Sequence, residues 1–246
     1  MKPLRLPGQS LQEQIDRRVE KTLEFAVAMA LAIVFAVMEW FRLFFKSPPQ
    51  PVGFTFLAVL ICSYGMRKIL LTRGDLILLK QARNGEMIIG QCLERLRESG
   101  YRVLHDIVGY GFNIDHVLIG PTGVYTIETK TLGKPAKGPS EIAYDGETVS
   151  VEGFEPDRNP IVQAKAQAGW IKAFLKEVIT GDLPVRPVVL YPGWFVKHQP
   201  KRCEVLVLNP DLLPGFLKNE RESLDKRDIQ AIEGYLSVYV RNSELR

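Results

Sequence analysis

The stretch Asn113-Ile-Asp-His-Val-Leu-Ile-Gly-Pro-Thr-Gly-Val-Tyr-Thr-Ile-Glu-Thr-Lys130 decides the fold. Apolar β-formers flank the turn cluster Gly120-Pro-Thr-Gly123, the pattern of a β-hairpin. With those four residues as the loop, Ile119 faces Val124, and counting outward sets Asp115 opposite Glu128. Directly opposed residues have β-carbons about 5 Å apart. Lys130 lies two residues beyond Glu128 and projects from the same face. Two facing carboxylates repel and add nothing to hairpin stability, whereas a hard cation between them would remove the repulsion. The bland alternative is a solvated face with one ordinary cross-strand ion pair. Against it, Val117, Ile119, Val124 and Thr126 share the parity of the two acids, while His116, Leu118, Tyr125 and Ile127 take the other face. Both faces are largely apolar, as in strands buried within an α/β layer structure. Charges at the end of such strands point to a functional cluster.

The rest of the chain places that hairpin in context. Of 32 Lys/Arg and 28 Asp/Glu, ten and five fall in residues 1–74, which leaves 22 and 23 for the remainder. The excess of base therefore belongs to the N-terminal segment and is no argument for nucleic-acid binding by the rest. Three cysteines without CxxC spacing and three scattered histidines exclude a disulfide framework and a structural zinc site. This composition suits a reducing cytosol. There is no nucleotide-binding glycine loop, no Gly-x-Ser-x-Gly elbow and no credible Cys/His nucleophile pair.

Residues 1–74 read as a membrane hairpin. Two apolar runs, about 23–45 and 52–71, flank the connection Lys46-Ser-Pro-Pro-Gln-Pro51. Each reaches the roughly 20 residues of a spanning helix if its flanking charged and aromatic residues lie at the interface. Lys2, Arg5, Arg17, Arg18 and Lys21 precede the first run, and Arg67, Lys68 and Arg73 follow the second. By the positive-inside rule both termini lie in the cytoplasm, at the inner or plasma membrane, with residues 75–246 a cytosolic domain.

Within that domain a helix from the membrane is expected to stop near Asn84-Gly85 and a new one to run from Glu86 to Ser99, ending at Gly100. Glu86 shares the inward face of Ile89 and Leu93, so it either complements the helix dipole or points toward a site. A strand over 101–105 precedes the hairpin, and a short β segment follows near 147–151. Asn159-Pro160 opens a helix, with Gln163, Gln167 and Trp170 beside its packing stripe. Late buried strands over 185–191 and 203–208 and a helix over about 223–240 complete the order. Basic residues Lys134, Lys137, Lys197, Lys201 and Arg202 lie in two loops that could follow a phosphate backbone. This order fits an α/β domain with a central mixed sheet.

At Gly85-Glu86, Asn113-Ile-Asp115, Gly123-Val-Tyr-Thr-Ile-Glu-Thr-Lys130 and Asn159-Pro-Ile-Val-Gln163, the chain resembles the nuclease-related domain (NERD) family, grouped with the PD-(D/E)xK nucleases. The resemblance covers about residues 82–178. It implies a restriction-endonuclease-like mixed central sheet flanked by helices, here preceded by the two-helix transmembrane hairpin. It also implies Mg2+ (or Mn2+) held by Asp115 and Glu128, with the Thr129 carbonyl a further candidate ligand. Lys130 would be the signature lysine, with Glu86 and Gln163 at accessory positions. Tyr110-Gly-Phe precedes Asn113, so the literal Pro-Asp is absent. The implied activity is metal-dependent hydrolysis of nucleic acid, DNA first. The alternative is a catalytically inactive, membrane-anchored module that binds nucleic acid or protein.

Overall fold

The hairpin read from the sequence is the centre of the fold. In the computed structural model, which describes residues 3–42, 45, 50–109, 111–133, 140–151, 159–179, 183–197 and 203–243, helices α1 (Gln9–Arg42) and α2 (Pro51–Glu94) come first. Strands β1 (Arg102–Val108), β2 (Asn113–Gly120), β3 (Gly123–Thr129), β4 (Glu141–Tyr144) and β5 (Val149–Val151) follow. Helix α3 (Pro160–Leu175), strands β6 (Val185–Leu190), β7 (Phe195–Lys197) and β8 (Leu206–Leu208), and helices α4 (Leu213–Asn219) and α5 (Lys226–Ser243) complete the order. Lys134, Lys137, Lys201, Arg202 and Tyr110 lie outside the described residues.

Five strands form a mixed sheet in the order β1-β2-β3-β6-β8. β1, β2 and β3 are antiparallel neighbours, while β6 and β8 join parallel. Ile119 pairs with Val124 and His116 with Ile127, and the ladder closes one step further at Gly120 and Gly123. Gly123 has φ +128°, and a Cβ there would lie 3.0 Å from the Pro184 carbonyl oxygen. Both facts demand glycine. Gly123→Ala is therefore expected to cost about 1–3 kcal/mol of stability, the usual scale of a side chain forced into a left-handed conformation. Chemical denaturation of the two chains measures it, and equal midpoints would show that the turn relaxes freely.

The two sheet faces divide as the parity requires. Leu118, Tyr125 and Ile127 pack with Ile89, Leu93 and Leu213 of α2 and α4. Val117, Ile119 and Val124 pack with Ile171 and Leu175 of α3 and Ile232 and Leu236 of α5. All six strand residues are at most 2% exposed. At roughly 1.5–3 kcal/mol for each large apolar side chain buried, a one-residue slip is ruled out, because it would exchange the two faces. β1 departs from simple alternation: Leu104 and Ile107 lie in the same layer, and between them Asp106 has φ +53°.

A second sheet, β5-β4-β7, packs against the N-terminal end of α3 through Tyr144, Ile161 and Trp194. α3 begins as its sequence predicts: the Asn159 side chain accepts the Ile161 N–H at 2.9 Å, with Pro160 in the first turn.

α2 does not break at Asn84-Gly85, which corrects the sequence expectation. It continues to Glu94 and tightens into a 3-10 turn, Arg95–Ser99, capped by left-handed Gly100. Gly85 is instead a close-approach residue, since a Cβ there would lie 1.8 Å from Thr131 Oγ1.

The chain divides into two units. One joins the residues up to Gln9 to those from Ala82 onward, and the other is Ser10–Gln81. In the second unit α1 and α2 run antiparallel: Arg18 pairs with Asp75, Phe25 meets Tyr64 edge-on at 6.1 Å, and Trp40 Nε1 donates to Thr55 Oγ1 at 2.9 Å. The Glu39 carboxylate takes Arg42 at 2.8 Å and the Gln50 N–H at 3.3 Å, linking the end of α1 to the residue before α2. Both helices are long and apolar enough to cross a membrane, by length and composition. Leu23, Leu31, Phe35, Phe56, Leu60 and Leu71 are all exposed on them.

Candidate carboxylate site

The β2–β3 pairing ends at His116 and Ile127, and the next residues outward are Asp115 and Glu128, 7% and 4% exposed. Asp115 Oδ2 accepts the Thr129 N–H at 2.7 Å, so the side chain takes a main-chain donor at the end of β3. Each Glu128 oxygen is held as well. Oε1 accepts Lys130 Nζ at 2.7 Å, and Oε2 accepts Gln167 Nε2 at 2.6 Å. Lys130 Nζ also donates to Gln163 Oε1 at 3.1 Å, and Gln167 Nε2 to the Asn113 carbonyl at 2.9 Å. Gln163 and Gln167 are one turn apart on α3, whose face covers this end of the sheet.

The structure thus brings Asp115, Glu128, Lys130 and Gln163 together, with Thr129 entering through its N–H. Glu86 comes in from α2, 6% exposed. It lies in the interior of that helix, so the helix-dipole reading falls away and the site-facing reading remains. One of its oxygens takes the Gly8 N–H, and Oε2 is buried without a hydrogen-bond partner among the described residues.

Burial pushes the Glu86 carboxyl up to about 8, helped by the charges of Asp106 and Glu128 and opposed by the Gly8 N–H and Lys130. Burial likewise holds Asp115 well above the usual carboxylate range, with Glu128 and Glu86 adding to it. The Tyr191 phenol is also raised, by burial and then by the Glu128 charge. Acids buried together suppress one another's ionisation. Perturbed groups gathered at one place mark a candidate functional site.

Four participants escaped the sequence reading. Gln167 carried a signal, one helical turn after Gln163. Asn113 sat inside the motif, and its side chain donates to Asp106 Oδ1 at 2.6 Å. Asp106, wholly buried, pairs with Arg5, whose Nε lies 2.6 Å from Oδ2. Nothing local in the sequence links residues 5 and 106. Lys197, expected to be free for phosphate, is paired with Glu141.

These features define a class: a mixed α/β fold whose antiparallel strand pair ends in buried acids beside a lysine. Residues 81–192 match the family model of the nuclease-related domain, NERD. No curated protein and no solved structure gives a significant match.

The donor set can be weighed against a divalent ion. Among the described residues, no three His, Cys, Asp or Glu side chains form a ready metal cage. Magnesium does not need one, because it usually binds through one or two carboxylates and keeps several waters. Asp115 and Glu128 supply hard oxygens, and Glu86, whose charge is felt by Asp115, has one oxygen, Oε2, without a hydrogen-bond partner among the described residues. Mutual repulsion among these acids is what a cation would relieve. The residues present fit the ion.

Proposed function

We propose that this protein is a membrane-associated, divalent-metal-dependent nuclease that hydrolyses phosphodiester bonds of nucleic acid, DNA first. The observation that carries the reading is the buried pair Asp115 and Glu128 with Lys130 hydrogen-bonded between Glu128 and Gln163. The nuclease-related domain supports the same class of substrate.

Asp115 and Glu128 would hold the ion, Mg2+ or Mn2+, with the Thr129 carbonyl as a further ligand. Bound there, the ion would polarise the scissile phosphate and acidify a water. The protein's own groups do the rest. Gln167 and the Thr129 N–H fix the two carboxylates, so little reorganisation is needed when substrate arrives. Gln163 and Glu128 hold the Lys130 ammonium, which is 28% exposed, at the open side of the cluster. A fixed cation there stabilises negative charge as it develops on the phosphate oxygens. Glu86, which burial keeps protonated near neutral pH in the metal-free chain, would give up that proton as the cation binds beside it.

The apolar faces of α1 and α2 support a bilayer anchor. Because residues before Ser10 fold with those after Ala82, both ends of the hairpin belong on one side of a membrane, which favours an even number of crossings. The basic flanks favour the cytoplasmic side.

The full chain in detergent, incubated with labelled DNA and RNA and with magnesium, manganese or chelator, tests the activity. Metal-dependent cleavage is expected, and a folded chain inert toward both nucleic acids with both metals would overturn it. Lys130→Ala should lower cleavage by about 10²–10³-fold, the scale for one lost transition-state donor, and lower the thermal midpoint without unfolding the chain, because buried Glu128 loses its ion-pair partner. Single-turnover rates and melts of the same preparations check both.

A second reading is a non-catalytic binding module on a nuclease fold. The near-balanced charge beyond residue 74 favours it, since nonspecific DNA binding needs several phosphate contacts. Partner binding that is indifferent to metal and to Asp115→Asn would select this reading.

A further inference from the structure

The residues ahead of the first long helix are built into the domain that carries the carboxylates. Pro7 lies on α2 where glycine leaves room for it, since a Cβ at Gly90 would sit 2.5 Å from Pro7 Cγ. Gly8, with φ +71°, runs against Arg83, and its N–H reaches the Glu86 carboxylate. Arg5 is 6% exposed and pairs with Asp106, which is 0% exposed.

From Asp106 a chain of hydrogen bonds leads into the site. Asp106 takes Arg5 Nε on Oδ2 and Asn113 Nδ2 on Oδ1, each at 2.6 Å. The Asn113 carbonyl takes Gln167 Nε2 at 2.9 Å, and that same amide nitrogen reaches Glu128 Oε2 at 2.6 Å. Asp106 also has φ +53°, a conformation that side chains other than glycine seldom adopt. Such a residue persists only where its surroundings over-determine it, as Arg5 and Asn113 do here, and outliers of this kind gather at functional sites.

A buried Asp beside other acids needs a counter-charge, and removing one partner of a buried ion pair leaves the other uncompensated. Arg5 supplies it through a planar fork that fixes direction as well as charge. We propose that residues 3–9 are a strap belonging to the acidic site, and that Arg5 is a positioning residue. Acting through Asp106 and Asn113, it holds the start of β2, and hence Asp115 and the Gln167–Glu128 pair, in place. This rests on the reading of Asp115 and Glu128 as the working carboxylates.

The test uses the full chain in detergent, with Arg5→Ala, Arg5→Lys and the double variant Arg5→Ala/Asp106→Asn. Hydrogen exchange at the amides of Asn113–Asp115 reads the positioning, and calorimetry with magnesium reads the consequence. Arg5→Ala should speed that exchange and weaken magnesium binding, each by about tenfold. Arg5→Lys should stay within about threefold of wild type on both. The double variant removes the stranded charge, so it should recover the wild-type thermal midpoint while exchange at 113–115 stays fast and magnesium binding stays weak. That separates positioning from mere charge balance, and it decides the matter even if Arg5→Ala alone fails to fold. Wild-type exchange and affinity in Arg5→Ala, or their recovery in the double variant, would overturn the proposal. A wild-type chain that neither binds magnesium nor cleaves would sink the nuclease reading instead, and the exchange comparison would still decide whether Arg5 positions β2.

Discussion

Asp115→Asn is expected to abolish metal-dependent cleavage, by at least about 10³-fold, while leaving the metal-free protein as stable as wild type or more so. The activity loss follows from the proposed function: one of the two carboxylates that would hold the ion is removed, and with it the activation the ion would supply to electrophile and nucleophile. The stability result follows from the electrostatics already described. Burial and the charges of Glu128 and Glu86 hold Asp115 well above its ordinary range, so its ionised form is disfavoured in the folded chain. Asparagine keeps an oxygen to accept the Thr129 N–H, the bond that Asp115 makes at 2.7 Å, and carries no charge. A gain of about 1 kcal/mol is the scale expected when a like-charged cross-strand pair is relieved. Added magnesium should raise the melting temperature of wild type and barely move that of the variant, because ligand stabilisation depends on affinity for the folded state. Melts with chelator and with magnesium give all four values. A large loss of apo stability in Asp115→Asn, together with no magnesium response in wild type, would make Asp115 a structural residue.

What the sequence made legible follows from the range of the interaction involved. The hairpin register needs only the turn Pro121-Thr122 and a period of two, both local. The pairing of Ile119 with Val124 and the division of faces came out as read. Gln163 came with a helix whose start is written in Asn159-Pro160. By contrast, Gly85 looked like a helix end, but its missing Cβ serves the approach of Thr131, a residue 46 positions away. The short strands β4 and β7 and the short helix α4 left no periodic pattern to read, and Pro214 and Gly215 within α4 resemble breakers. Arg5 and Asp106, separated by 101 residues, meet only through tertiary structure. A charged residue among the basic flanks of an apolar run reads as a topology signal, and nothing in its neighbourhood betrays a buried partner.

Glu86→Gln should stabilise the metal-free chain at alkaline pH and do nothing at acid pH. The Glu86 carboxyl is raised from 4.5 to about 8, by burial first and then by Asp106 and Glu128. A carboxyl raised on folding binds its proton more tightly in the native chain than in the unfolded one. The native state therefore meets no penalty from Glu86 below about pH 4.5. A penalty grows between that value and about pH 8 and is constant above it. At 1.36 kcal/mol per unit the ceiling is about 5 kcal/mol, and relaxation around a partly solvated cluster brings the expected gain to roughly 2–3 kcal/mol. Glutamine is uncharged at every pH and its carbonyl can still accept the Gly8 N–H, so the difference between the two chains isolates the carboxylate. Urea midpoints at pH 4, 6, 7.5 and 9 should superimpose at the first value and diverge progressively toward the last, with Glu86→Gln the more stable. Magnesium should narrow that gap in wild type, since a cation beside Glu86 favours its ionised form. Proton release on magnesium binding, measured in two buffers of different ionisation enthalpy, should accompany the narrowing and be smaller in Glu86→Gln. A constant offset between the two chains at all four pH values would show that Glu86 folds with its charge already compensated, and would remove it from the group of acids that a metal is proposed to bring together.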